Sequence, residues 1–384
     1  MAGPLTGVRV IELGAIGPAP FAGMLLGDLG AEVIRVARHG DDAAAQRAVH
    51  GVLLRGRRFV QADLKAPGGA ELVRRLVQGA DVLTEGFRPG VAERLGIGPD
   101  DLLAGNPRLV YGRMTGWGQD GPLAASAGHD INYIALSGAL APCVGSDGAP
   151  VAPLNMLGDF GGGGMLLAVG VLAALLHARA TGEGQVVDAA IVDGSALLTA
   201  MHQAMLGSGL WAAPPGGNIF DGGAPFYGVY RTADDRWLSV GAIEPAFYAD
   251  FVRGLGMPGL PDRDDPANWP QLKQQVAARI AERSLEEWTD AFAGLEACVA
   301  PVLDPAEAPD HPQLAAREVY REWDGLRHPA PAPRFSATTV DWPPTAEATD
   351  STYDVLREIG CSTDELDQWT SSGVITAAPK GDQE

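Results

Sequence analysis

Short β-branched runs alternate with helical stripes over the first half of the 384-residue chain. Val8–Leu13 is an uninterrupted apolar-rich run and predicts a buried strand. Gly14 to Pro20 breaks it, Phe21–Leu29 reads as a helix with Gly30 as its cap, and Ala31–Val36 is a second strand. This is a βαβ unit. The alternation continues with strands at Phe59–Leu64, Ala80–Thr84, Leu109–Thr115 and Gly184–Ile191. Helices are expected at Glu71–Val77, Met165–Leu176 and Asp193–Leu206. Met165–Leu176 is apolar nearly all round, which predicts burial, and His177 should close it as a partner for the helix dipole. Such alternation implies an α/β fold with a mostly parallel sheet covered on both faces. Ligands of such sheets bind at the carboxyl ends of the strands.

The second half reads differently. Phe226–Arg231 and Trp237–Val240 form an expected hairpin around Ala233–Asp235. Helical stripes follow at Phe251–Leu255, Trp269–Arg283 and Leu285–Phe292, and Cys298–Leu303 is an expected strand. The expected division is a large domain over 1–195, a Gly/Pro/Ala-rich linker over 196–223 and a small α+β domain over 224–304. A proline-punctuated return over 305–324 then leads to 325–384, which completes the large domain with short helices at Ser351–Ile359 and Thr363–Ser371.

Composition narrows the function. The net charge of −20 argues against a nucleic-acid partner. Residues 1–100 hold 12 Lys+Arg against 11 Asp+Glu, so the excess acid lies beyond them. Three scattered cysteines, Cys143, Cys298 and Cys361, argue against a disulfide framework and for a reducing, cytoplasmic compartment. No Cys/His spacing suggests a metal. The start carries no signal-peptide pattern, the last residues carry no peroxisomal tripeptide, and the run Met165–Leu176 is too short to span a bilayer.

Basic residues cluster after the predicted strands. Arg35 and Arg38 end the second strand, where an acidic residue would serve a nicotinamide ribose, and no G-x-G-x-x-G fingerprint is present. Arginine there suits a phosphorylated ribose or an adenine face. Arg55, Arg57 and Arg58 read as a solvated face. Ala62, Asp63, Leu64 and Lys65, then Gly86, Phe87 and Arg88, then Arg94, also follow strand ends. Polar chemistry concentrates in Gly128–Tyr133 (G-H-D-I-N-Y) and Leu154–Gly164 (L-N-M-L-G-D-F-G-G-G-G). His129 is either a hydrogen-bonded structural histidine or a proton-transfer group. Asp159 is either a helix N-cap or an acid/base. Four glycines at a helix start, each costing roughly 1 kcal/mol against Ala, require a close approach to the backbone, for instance by a ligand. Met114, Met156, Met165 and Met201 read as core packing, with an adaptable apolar surface as the other use.

The strings G-H-D-I-N-Y, G-D-F-G-G-G at Gly158–Gly163 and G-A-I-E-P at Gly241–Pro245 resemble the α-methylacyl-CoA racemases, within the wider group of family III CoA-transferases. The resemblance runs from Pro4 to about Ser336. It implies a Rossmann-like CoA-binding domain with a smaller α+β domain in an interlocked homodimer, with an active site shared between subunits. It implies an acyl-CoA substrate, no cofactor, no metal and no membrane partner. It implies His129 and Asp159 as opposed acid/base groups, Glu244 as the residue that orients His129, and the strand-end segments from Arg38 to Arg94 as the CoA site. Gly128, Asp130, Ile131, Asn132, Tyr133 and Asn155 would surround the thioester, and backbone N–H groups after Gly158 would face the enolate oxygen. From the residues alone, Glu244 reads as a surface helix cap. A transferase that uses Asp159 as a covalent nucleophile is the competing reaction.

Overall fold

A computed structural model describes residues 2–38, 51–145, 147–323, 325–340 and 350–377. The C-terminal residues 380–384 lie outside them. Six parallel strands form the main sheet: β1 (Arg9–Leu13), β2 (Glu32–Ala37), β3 (Arg57–Gln61), β4 (Val82–Glu85), β5 (Val110–Thr115) and β6 (Gln185–Ala190). Their order is β3-β2-β1-β4-β5-β6. β1 lies between β2 and β4, with Ile11 opposite Ile34 and Leu83. The strand order therefore reverses between β1 and β4, the place where α/β sheets form their ligand crevice.

Period-two alternation explains why both faces are covered. Ile11, Ile34, Leu83 and Tyr111 point into one apolar cluster, shared with Leu72, Leu76, Val355 and Trp369. Their neighbours Val10, Val33, Val82 and Val110 point into the other, shared with Leu26, Leu167 and Val171. The C-terminal helices Thr352–Glu358 and Thr363–Ser371 thus help to close one face of the sheet.

The chain divides into two compact units: Met1–Ser137, Pro153–Leu198 and Arg321–Glu384 form one, and Gly138–Ala152 and Thr199–Tyr320 the other. The second holds an antiparallel sheet of β7 (Tyr227–Arg231), β8 (Trp237–Gly241) and β9 (Val299–Pro301). Helices Pro245–Leu255, Trp269–Ile280 and Leu285–Phe292 pack around Trp288, Phe251 and Leu238.

Several expectations change. The helix that opens after β1, α1 (Pro18–Asp28), starts at Pro18 rather than Phe21, because proline is accepted in a first helical turn. The stretch Asp193–Leu206 is two helices, Ile191–Leu198 and Ala200–Ser208. The expected helix from Met165 is the end of a longer one. A π-helix over Met156–Met165 runs into an α-helix over Leu166–Thr181, so His177 is internal and Arg179 occupies the last turn. The combined stretch is long and apolar enough to cross a membrane. One side of it, with Leu167, Val171 and Ala174, packs beneath the sheet. Val169 and Leu176 are exposed, so full burial does not hold for this chain by itself. Met156, Met165 and Met201 are exposed too, and of these four only Met114 is core.

The arginine clusters are also not as expected. Arg35 and Arg57 are buried on β2 and β3 and both bond the carboxylate of Glu12, which is fully buried on β1. Arg55 is buried against Asp28. Only Arg58 is partly exposed, paired with Glu32 and Glu358. The acids that neutralise these arginines lie 27 to 45 residues earlier for Arg55 and Arg57, so local sequence could not reveal the pairing.

Candidate active site

The turns after β1, β4 and β5 enclose a cleft of about 580 Å³ at the switch point of the sheet. After β1, Gly17 adopts φ 72°, a backbone that favours glycine, and hands the chain to Pro18 at the start of α1. A Cβ placed on Gly17 would lie 3.6 Å from the Asp159 carboxylate. After β4, Gly86, Phe87 and Arg88 form a second wall. The buried Glu85 carboxylate shapes that wall by accepting the Phe87 N–H at 2.5 Å. Met114 and Trp117 stand at the end of β5.

His129 and Asp159 line this same cleft. His129 is extended and stands before the helix Asp130–Leu136. Its N–H donates to the Asn132 side chain at 3.0 Å, so Asn132 serves as a cap. Tyr133 is buried, donates its hydroxyl to the Gly128 carbonyl at 2.5 Å and meets Trp117 edge-on at 4.7 Å. Asp159 lies in the first turn of the π-helix, a rare form that recurs at functional sites. Asn155 donates to its carboxylate at 3.4 Å. Burial pushes the Asp159 carboxyl above its ordinary range; the Asn155 bond opposes this, the charge of Asp130 adds to it and His129 counters it. Burial also raises the Tyr133 phenol, with Asp159 adding to that and Arg88 opposing it.

Asp130 lies beneath Asp159. It is buried, accepts the Asp159 N–H at 2.7 Å through one oxygen, and its other oxygen has no partner. A side chain at Gly158 would collide with this carboxylate, at 2.3 Å. The donors expected after Gly158 are therefore occupied: Asp159 N–H by Asp130, and Phe160 N–H by the Asn155 carbonyl. Neither N–H group is free to bond a ligand in this arrangement. The glycine run also has another cause. Gly162 packs against Gly194 and Ser195, and Gly164 against Pro18 and Phe21, too closely for any side chain. Protein backbone, rather than a ligand, makes that approach.

The structure thus brings together His129, Asp159, Gly128, Tyr133, Asn155, Gly86, Phe87 and Arg88 around one cleft. Asp130, Ile131 and Asn132 are adjacent to it through the helix they open. Arg38, Ala62, Asp63, Leu64 and Lys65 lie further along the carboxyl edge, after β2 and β3. There Ala62 N–H bonds the Ala37 carbonyl and Asp63 N–H the Val374 carbonyl. Arg38 and Lys65 are exposed, and Arg94 is exposed at the end of a short helix. Arg35 is withdrawn from the ligand set by its bonds to Glu12 and the Ala15 carbonyl. Glu244 belongs to the second unit. It occupies the N-cap position of Pro245–Leu255, is exposed, and its side chain caps nothing. Sequence reasoning did not single out the Gly17–Pro18 wall. The signal was the pair Pro18 and Pro20 beside a glycine after a strand.

Comparison with known proteins identifies the family. Residues 5–350 match the family described as CoA-transferase family III. The chain is 43% identical to the Alpha-methylacyl-CoA racemase of Mus musculus and 42% identical to that of Homo sapiens, each over 97% of both chains. A crystal structure of a CAIB/BAIF family protein from Brucella suis superposes with a TM-score of 0.80 at 25% identity, covering 94% of this chain and 100% of that one. The chain belongs to CoA-transferase family III.

Proposed function

We propose that the protein interconverts (R)- and (S)-2-methylacyl-CoA thioesters by moving a proton at the α-carbon. The observation that carries this reading is the pairing of His129 with a carboxylate of raised proton affinity, Asp159, in one cleft. Neutral His129 takes the α-proton from one face, leaving the electron pair delocalised onto the thioester oxygen. Protonated Asp159 returns a proton to the opposite face. In the reverse direction Asp159 accepts and His129 donates. The oxidation state never changes, so the reaction calls for no redox cofactor. Similarity to the two mammalian racemases over nearly the whole chain supports the same reading.

Supporting roles follow from position. The first-turn N–H groups of Asp130 and Ile131 have no hydrogen-bond partner among the described residues, which makes them the donors for the enolate oxygen. Arg88, on the cleft rim, with Arg38, Ala62–Lys65 and Arg94, holds the CoA moiety. Glu244 orients His129. The active form is a homodimer, which gives the exposed Val169 and Leu176 a place to be covered. Its three cysteines are unpaired, in keeping with a cytoplasmic location.

The test is turnover of one enantiomer without any carboxylic acid present, with and without hydroxylamine. Inversion without an acceptor, insensitive to hydroxylamine, is expected. Dependence on an acceptor acid, with trapping at Asp159, would instead assign CoA transfer through a covalent aspartyl intermediate.

A further inference from the structure

Glu244 stands where β8 gives way to the helix Pro245–Leu255, on a segment with little regular bonding of its own. Gly241 N–H bonds the Cys298 carbonyl at 2.8 Å and Ile243 N–H bonds the Gly241 carbonyl at 2.9 Å. The carbonyls of Ala242 and Ile243 are turned to one side chain, Arg263, which donates to them from its two terminal nitrogens at 2.9 and 2.5 Å. The Arg263 guanidinium also lies over two rings, 4.6 Å from the centre of Phe226 and 4.7 Å from that of Tyr248. Tyr248 is itself tied to the segment, since its N–H bonds the Glu244 carbonyl at 2.9 Å. The backbone of Arg263 is fixed as well: its carbonyl accepts from the Trp269 indole at 2.8 Å, and Trp269 meets Phe226 edge-on at 5.8 Å.

From these contacts we infer that Arg263 is a positioning residue for Glu244. It holds the two peptide units before Glu244 in a planar fork and so fixes where the carboxylate emerges. The inference rests on the proposed role of Glu244 in orienting His129. Its geometry explains why arginine is required. A lysine is a single point donor that cannot bond two carbonyls and stack on two rings together. It also explains why Glu244 caps no helix: the restraint comes from the backbone behind it and leaves its side chain open for another partner. Misplacement of a catalytic partner by about 1 Å costs up to about a hundredfold in rate.

The test compares Arg263→Lys, Glu244→Gln and the double variant as full-length proteins, by kcat and KM, with thermal midpoints to confirm folding. Arg263→Lys is expected to lower kcat about tenfold with KM within about twofold, as for lost orientation rather than lost uniform binding. In the Glu244→Gln background, Arg263→Lys should add almost nothing. Methylguanidinium added to Arg263→Ala should restore part of its kcat. Multiplicative losses, or an effect on KM alone, would overturn the inference and leave the Glu244 role standing. Wild-type kinetics for Glu244→Gln would overturn that role itself.

Discussion

Two carboxylates of the first unit, Glu12 and Asp159, are held in opposite ways. Glu12 is fully buried; burial by itself would raise its pKa, but Arg57 and Arg35 outweigh it and leave the carboxyl below its ordinary value. Asp159 is half-buried, has an amide and a second carboxylate as neighbours, and is shifted upward. Glu12 therefore stays ionised and ties three strands together, whereas the Asp159 carboxyl holds its proton to higher pH than an ordinary aspartate. What sets the opposite directions of the two shifts is the neighbouring cation, not the degree of burial.

The largest effect should come from removing the mobile proton. Asp159→Asn should lower kcat by about a thousandfold, within the range for a general acid/base, with a thermal midpoint near that of the wild type. Treating Glu12 the same way should reverse the pattern. Glu12→Gln leaves two buried guanidiniums short of charge and should cost about 3–5 kcal/mol of stability, read by urea unfolding, while the molecules that remain folded keep their kcat. Equal loss of activity in both variants would erase the distinction.

Some of this contrast was legible in the sequence. The parallel sheet was, because runs such as Val8–Leu13 declare buried strands. So were Leu285–Phe292 and Thr363–Ser371, whose bounds match the expected ones because Ser284 and Ser362 cap them with Glu287 and Glu365. His129 and Asp159 stood out by their motifs. The fate of Arg35, Arg55 and Arg57 did not, since their acidic partners come from other strands and helices. The π-helical form of Met156–Met165 was hidden as well: its glycines are required by contacts with α1 and Ile191–Leu198, which only the fold supplies.

A smaller effect should follow from the charge beneath Asp159. Asp130→Asn keeps an oxygen for the Asp159 N–H but removes the like charge, so the Asp159 pKa should fall. The protonated acid is then lost at lower pH as pH rises, and the alkaline limb of the step that uses it should move down. An unmoved limb would mean that burial alone sets the shift. The mildest effect is expected at the rim: Arg88→Ala should raise KM about fivefold to tenfold, the size of one ordinary hydrogen bond of about 1 kcal/mol, with kcat nearly unchanged. A kcat loss at constant KM would place Arg88 at the reacting end.

The central claim is that Asp159 and His129 exchange one proton across the α-carbon, and isotope exchange tests it most directly. Either enantiomer of a 2-methylacyl-CoA, incubated in D₂O with the enzyme and no added acid, should invert its α-centre and gain deuterium there. Turnover that leaves the α-carbon undeuterated and its configuration intact, with the acyl group passed to added acids, would contradict the account.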